Sequence, residues 1–146
     1  MERSVGRARH TLTMSIEFLQ PAGLVNSPAF SHVAVVPPGA TIVYLGGQNG
    51  VDETGKVVSD DVAAQSARAL ENAVVALNAA GATLDDVIQW TILFDEHADL
   101  RAAYGAIASK LGRAGAPPLV TAARVAGLGV PGALLEISAV AAIVRG

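Results

Sequence analysis

Pro117-Pro118-Leu119-Val120-Thr121-Ala122-Ala123-Arg124-Val125 is followed, after a glycine-rich gap, by Gly132-Ala133-Leu134-Leu135-Glu136-Ile137-Ser138-Ala139-Val140. Both runs are apolar and rich in small or branched residues, and they predict strands over 119–126 and 134–144. Strand alternation places Val120, Ala122 and Arg124 on one face and Thr121 on the other. The gap, Gly127-Leu128-Gly129-Val130-Pro131-Gly132, has the G-x-G-x-x-G spacing of a dinucleotide-binding turn. Only fourteen residues remain after Gly132, and they read as a strand. No helix is left to meet a pyrophosphate, so the gap is a loop between strands.

Working outward, Val87-Ile88-Gln89-Trp90-Thr91-Ile92-Leu93-Phe94 is a mostly apolar run of central-strand character, with Trp90 in the core. Asp60-Asp61 opens the clearest helix, which runs to about Ala80. Acidic residues suit the positive end of the helix dipole, and Gly81 suits the position just past the C-cap. Val62, Ala69, Ala73, Ala76, Leu77 and Ala80 form its apolar stripe. A second helix is predicted over about 98–111, with Asp95 and Asp99 flanking its start. Ile16-Glu17-Phe18-Leu19 is a short strand. His32–Val36 and Thr41–Leu45 read as an antiparallel pair turned by Pro37-Pro38-Gly39. Asp52–Lys56 is a further turn, with a brief extension over Lys56-Val57-Val58. The order ββ(β)αβαββ implies an α+β protein: a mixed sheet of about six strands backed by two helices on one face.

The chain has 146 residues, 51% of them hydrophobic, enough for one domain with a sizeable core. We expect that domain over 15–146 and a flexible extension over 1–14, where Arg3, Arg7, Arg9 and His10 form the only basic cluster. The net charge of −3 disfavours nucleic acid as a partner. There are no cysteines, which excludes thiolate catalysis and fits a reducing cytoplasm. No apolar run reaches the roughly 18 residues that span a bilayer, so no membrane partner is expected. His10, His32 and His97 lack metal-ligand spacing, and neither metal nor cofactor is expected. Ser31 and His32 are adjacent, so on a strand they point to opposite faces and form no nucleophile–base pair.

Further segments, taken with the C-terminal pair, resemble one known family. They are Ser27-Pro28-Ala29-Phe30-Ser31-His32, Tyr44-Leu45-Gly46-Gly47-Gln48, Ala63-Ala64-Gln65, Ala69-Leu70-Glu71-Asn72 and the stretch from Ala79 to Val87. In order and spacing they are similar to the Rid (RidA/YjgF) family of reactive intermediate deaminases, also labelled endoribonuclease L-PSP. The resemblance implies a YjgF-like, chorismate mutase-like fold. It also implies a homotrimer with small-molecule pockets between subunits, and hydrolysis of enamine or imine intermediates to 2-keto acids and ammonia. In the family an arginine holds the substrate carboxylate, which suits a bidentate guanidinium, and a glutamate late in the last strand positions the attacking water.

Several of those positions differ here. Val120 stands where the arginine belongs, Ala122 where a cysteine is common, Phe30 where a tyrosine is usual and Tyr104 where a helix asparagine is usual. Two glutamates two residues apart become Glu136 and Ser138. Gly47 and Gln48 are retained. The implied pocket therefore comprises Phe30, Gly47, Gln48, Tyr104, Val120, Ala122, Arg124 and Ser138, with Glu136 as the candidate catalytic carboxylate. Valine cannot neutralise a carboxylate, so 2-imino acids should bind poorly. Arg124 lies about 13 Å along the strand from Val120, too far to replace the arginine simply. Glu136 reads either as a general base or as a structural carboxylate paired with Arg124 on an adjacent strand. The expected function is a divergent Rid-family hydrolase of an imine-, enamine- or amide-like C–N bond; the alternative is a non-catalytic trimer that binds a ligand or partner. Nuclease activity is disfavoured by the acidic balance.

Overall fold

The computed structural model describes residues 14–145. The extension expected over 1–14 therefore lies, but for Met14, outside the described residues. In chain order the elements are β1 (Glu17–Leu19), β2 (Val33–Val35), β3 (Thr41–Gln48), α1 (Val62–Ala79), β4 (Val87–Asp95), α2 (Leu100–Gly105), α3 (Ala108–Leu111), β5 (Leu119–Val125) and β6 (Leu135–Ile143). A single 3₁₀ turn, Leu84–Asp86, precedes β4.

Helix α1 begins and ends as its termini dictate. The Asp61 carboxylate accepts from the Ala64 amide at 3.0 Å, capping a first-turn donor that has no intrahelical partner. At the other end Gly81 takes φ +78°. Its amide donates to Asn78 O, and that of Ala82 donates to Leu77 O, the paired bonds of a Schellman stop. Val62, Ala69, Ala73 and Leu77 are buried as the stripe predicts, but Ala80 is exposed because the helix ends before it. The same face also buries Gln65 and Ser66. It lies close to the chain after β3: a Cβ on Gly50 would stand 2.5 Å from the backbone of Gln65. Gly50→Ala is expected to lower the unfolding free energy by about 1–3 kcal/mol through overpacking, read as a lower urea midpoint with an unchanged slope.

The four-stranded sheet has the order β3-β6-β4-β5. β3 and β4 each run antiparallel to β6, and β5 runs parallel to β4. The expected hairpin of β2 with β3 does not form. β2 pairs instead with β1, Glu17 opposite Val35, in a separate two-stranded sheet. Pro37 and Pro38 bring no amide donors to a ladder, and Gly39 at φ +85° turns the chain away. β3 then finds its partner about ninety residues later. The Val57 extension is one isolated bridge to Val51.

The second helix is two short pieces. Asp99 caps α2 through the Arg101 and Ala102 amides. The helical run breaks at Ile107, φ −124°, whose side chain is fully buried. α1 packs on β3 and β6 and against α2. Between helices and sheet lie Leu77, Trp90, Ile92, Leu135 and Ile137, all fully buried. The opposite sheet face carries Thr91, Leu93, Glu136, Ser138 and Val140, each only half-buried, and Tyr44 on β3 is 80% exposed.

Candidate functional site

β5 is an edge strand, and its register decides which side each residue serves. Val120 lies opposite Trp90, Ala122 opposite Ile92 and Arg124 opposite Phe94. All three therefore belong to the helix side, since directly paired residues share a face. Val120 is half-buried against the core, whereas Ala122 is exposed. The Arg124 guanidinium donates from Nη1 to Glu96 O at 3.0 Å and to Ala98 O at 3.2 Å. It ties down the loop between β4 and α2, turned away from Val120.

Val120 opens into a hollow of about 280 Å³, which it lines with Pro28, Ala29, Tyr104, Leu111 and Pro118. Ser31 builds this wall. Its buried hydroxyl donates to Pro117 O at 2.6 Å and its amide to Pro118 O at 3.1 Å. These bonds pin the loop over 27–31 to the segment entering β5. Phe30 lies beside the hollow rather than in its lining, edge-on to the His32 ring with centroids 5.4 Å apart. His32 Nε2 meets Val25 O at 2.6 Å, so Ser31 and His32 have separate structural partners.

Glu136 and Ser138 lie on the other sheet face, opposite Leu93 and Thr91 of β4. Glu136 is brought onto the backbone of β3 where the β3–β6 register shifts between Leu45 and Gln48. A Cβ on Gly47 would stand 2.6 Å from Glu136 Cδ and 2.8 Å from Oε1. Only glycine admits the carboxylate there. The pairing of Glu136 with Arg124 weighed from the sequence does not occur: β4 separates β5 from β6, and the two side chains serve opposite faces.

Gln48 turns elsewhere. Its Nε2 donates to Gly46 O at 3.2 Å, and the residue lines a cleft of about 440 Å³ in which Asp52, Glu53, Arg68 and Asn72 stand beside Val51, Val75 and Ala76. In that cleft the Thr54 hydroxyl, and then the Lys56 and Thr54 amides, hold the Asp52 carboxyl below its ordinary value. One chain thus unites Tyr104 with Val120 and, separately, Gly47 with Glu136. Among the described residues, no three His, Asp or Glu side chains cluster in a way that could hold a metal.

Two buried amides, given no individual role in the sequence reading, hold the base of the site. Gln65 Nε2 donates to Ser59 O at 2.8 Å and Gly132 O at 3.1 Å, and its Oε1 accepts from the Leu134 amide at 2.8 Å. Asn49 Nδ2 donates to Leu135 O at 2.9 Å. Both secure the residues just before Glu136. The signal available in the sequence was a glutamine inside an alanine-rich helical stripe, where a polar residue stays buried only with partners.

Residues 24–143 match the model of the family described as Endoribonuclease L-PSP. The chain belongs to this family, also called Rid or YjgF. YyfB of Yersinia pestis, a Rid-family protein, is 26% identical with a TM-score of 0.74, over 88% of this chain and 98% of that one. A YjgF/YER057c/UK114 member from Mycobacterium tuberculosis is 28% identical with a TM-score of 0.58, over 88% and 100%. TdcF of E. coli, solved with bound serine, is 28% identical with a TM-score of 0.60, over 76% and 85%. No curated protein matches the sequence. Among the described residues of this Rid-family chain, no helix is long and apolar enough to cross a membrane.

Proposed function

We propose that this Rid-family protein is a cytoplasmic homotrimer that binds a small molecule between subunits and hydrolyses an imine-, enamine- or amide-like C–N bond in it. 2-Imino acids are poor substrates. The observation that carries this reading is the separation of two half-sites on opposite faces of one sheet. Val120 and Tyr104 line an uncharged hollow on the helix side, and Glu136 lies over Gly47 on the other side. A single small ligand reaches both only where a second copy presents its opposite face. In that arrangement Glu136 takes a proton from water as the water oxygen adds to the carbon of the C–N group. Returning that proton to nitrogen completes the adduct; its C–N bond breaks as the adduct's oxygen becomes a carbonyl oxygen and any hydroxyl proton still needed passes to nitrogen, releasing a carbonyl product and ammonia or an amine. Ser138 orients water but is too weak a base to activate it. Nucleic acid is not the expected ligand of a chain with net charge −3.

The missing arginine sets the specificity. Serine, bound in TdcF, carries a carboxylate, and an unpaired carboxylate in an apolar hollow costs several kcal/mol. With 2-iminobutanoate as substrate, ammonia release should stay near the uncatalysed rate. Robust turnover by the unmodified protein would reject the specificity assignment.

The replacement of five family positions by Phe30, Tyr104, Val120, Ala122 and Ser138 supports a second reading, a trimer that binds without catalysis. Native mass spectrometry of freshly purified protein separates the two. A retained molecule that is hydrolysed on incubation supports the enzyme, and one that survives unchanged supports pure binding.

A further inference from the structure

We propose that the hollow between Tyr104 and Val120 takes a neutral, largely apolar amide whose carbonyl oxygen accepts a hydrogen bond from the Tyr104 hydroxyl. The inference rests on the proposed reading of this hollow as the ligand site, and it names the ligand class. Of the described side chains that line it, only the phenol of Tyr104 can form hydrogen bonds; the others are those of alanine, leucine, proline and valine, with one glycine. Among the described residues, none that lines the hollow carries a charge, so this wall does not repay the desolvation of an ionised ligand. Tyr104 is 37% exposed, and its hydroxyl bonds to no other described residue. A phenol so placed offers an apolar face for stacking and one O–H donor at its tip.

The size of the space agrees. At about 30 Å³ per water-sized group, a hollow of about 280 Å³ accommodates a molecule of about nine heavy atoms. The wall is held in shape without ligand by the two Ser31 bonds to Pro117 and Pro118. Little ordering is therefore left for binding to impose.

Benzamide and benzoate test this directly. They share ring, size and shape and differ in charge. Each is titrated into the full chain while methyl resonances of Ala108, Leu111 and Val120 are followed by NMR. Benzamide is expected to shift these signals and to bind at least ~10-fold more tightly than benzoate. Tyr104→Phe should weaken benzamide by ~3–10-fold, the range of one net hydrogen bond, with the thermal midpoint unchanged. Benzoate binding as tightly as benzamide, or a Tyr104→Phe variant that binds benzamide like the unmodified chain, would overturn the ligand class and leave the pocket itself standing. Failure of both probes to perturb these methyls would overturn the pocket as well.

Discussion

Gln65→Leu is expected to lower the unfolding free energy by about 3–6 kcal/mol, a large share of the ~5–15 kcal/mol that holds a typical domain folded. The side chain is fully buried, and both ends of its amide are in use. It bridges the carbonyls of Ser59 and Gly132 and the amide of Leu134. Leucine has nearly the same volume, so the cavity contribution is small. What changes is that three backbone groups lose their partners; Ser59 and Leu134 are half-buried and Gly132 is exposed, so each loss falls toward the lower end of the about 1–3 kcal/mol of a buried orphan. Those groups belong to the entry of α1 and the start of β6, so the loss reaches Glu136. Urea unfolding followed by circular dichroism measures it. A change below ~1 kcal/mol would show that water replaces the glutamine and that the amide does not organise this junction.

Val120→Arg is expected to convert the hollow into a carboxylate site. 2-Oxobutanoate, measured by calorimetry, should bind ~10–100-fold more tightly to the variant than to the unmodified chain, the range of one charge-assisted contact. The preference for benzamide over benzoate should reverse. β5 is an edge strand and Ala122 beside it is exposed, so a guanidinium at 120 keeps contact with water and folding is little affected. Tyr104 already lines the same space. Unchanged affinity for 2-oxobutanoate would show that position 120 does not control ligand charge. Any imine hydrolysis gained by Val120→Arg should disappear when Glu136→Gln is added.

Much of the architecture was legible residue by residue. Asp61 and Gly81 mark the ends of α1 because an N-cap carboxylate and a left-handed glycine act on neighbouring amides and carbonyls. The apolar run of β4 announced a strand covered by neighbours on both edges, and it lies between β6 and β5. The glycine-rich gap before β6 is a loop, as its position ahead of a terminal strand required. The pairing of β2 was not legible. Its residues fit a hairpin with β3 as well as a ladder with β1, and the choice rests on where β6 arrives. The break at Ile107 was hidden for a related reason: helical spacing continues through it, while core packing draws that one side chain inward.

For the candidate site, side-chain chemistry was readable and placement was not. The absence of a cation at position 120 and the presence of a carboxylate at 136 are properties of single residues, so the sequence alone determined them, together with the strand and helix periods and the caps. Only the tertiary structure decided that Val120 faces the helices while Glu136 faces away. It also decided that Arg124 holds a loop rather than pairing with Glu136, that Gly47 makes room for the Glu136 carboxylate, and that Gln65 joins segments nearly seventy residues apart. Periodicity fixes which residues of one element share a face. Which face meets which partner depends on strand order and register, and these are set by the packing of the whole chain.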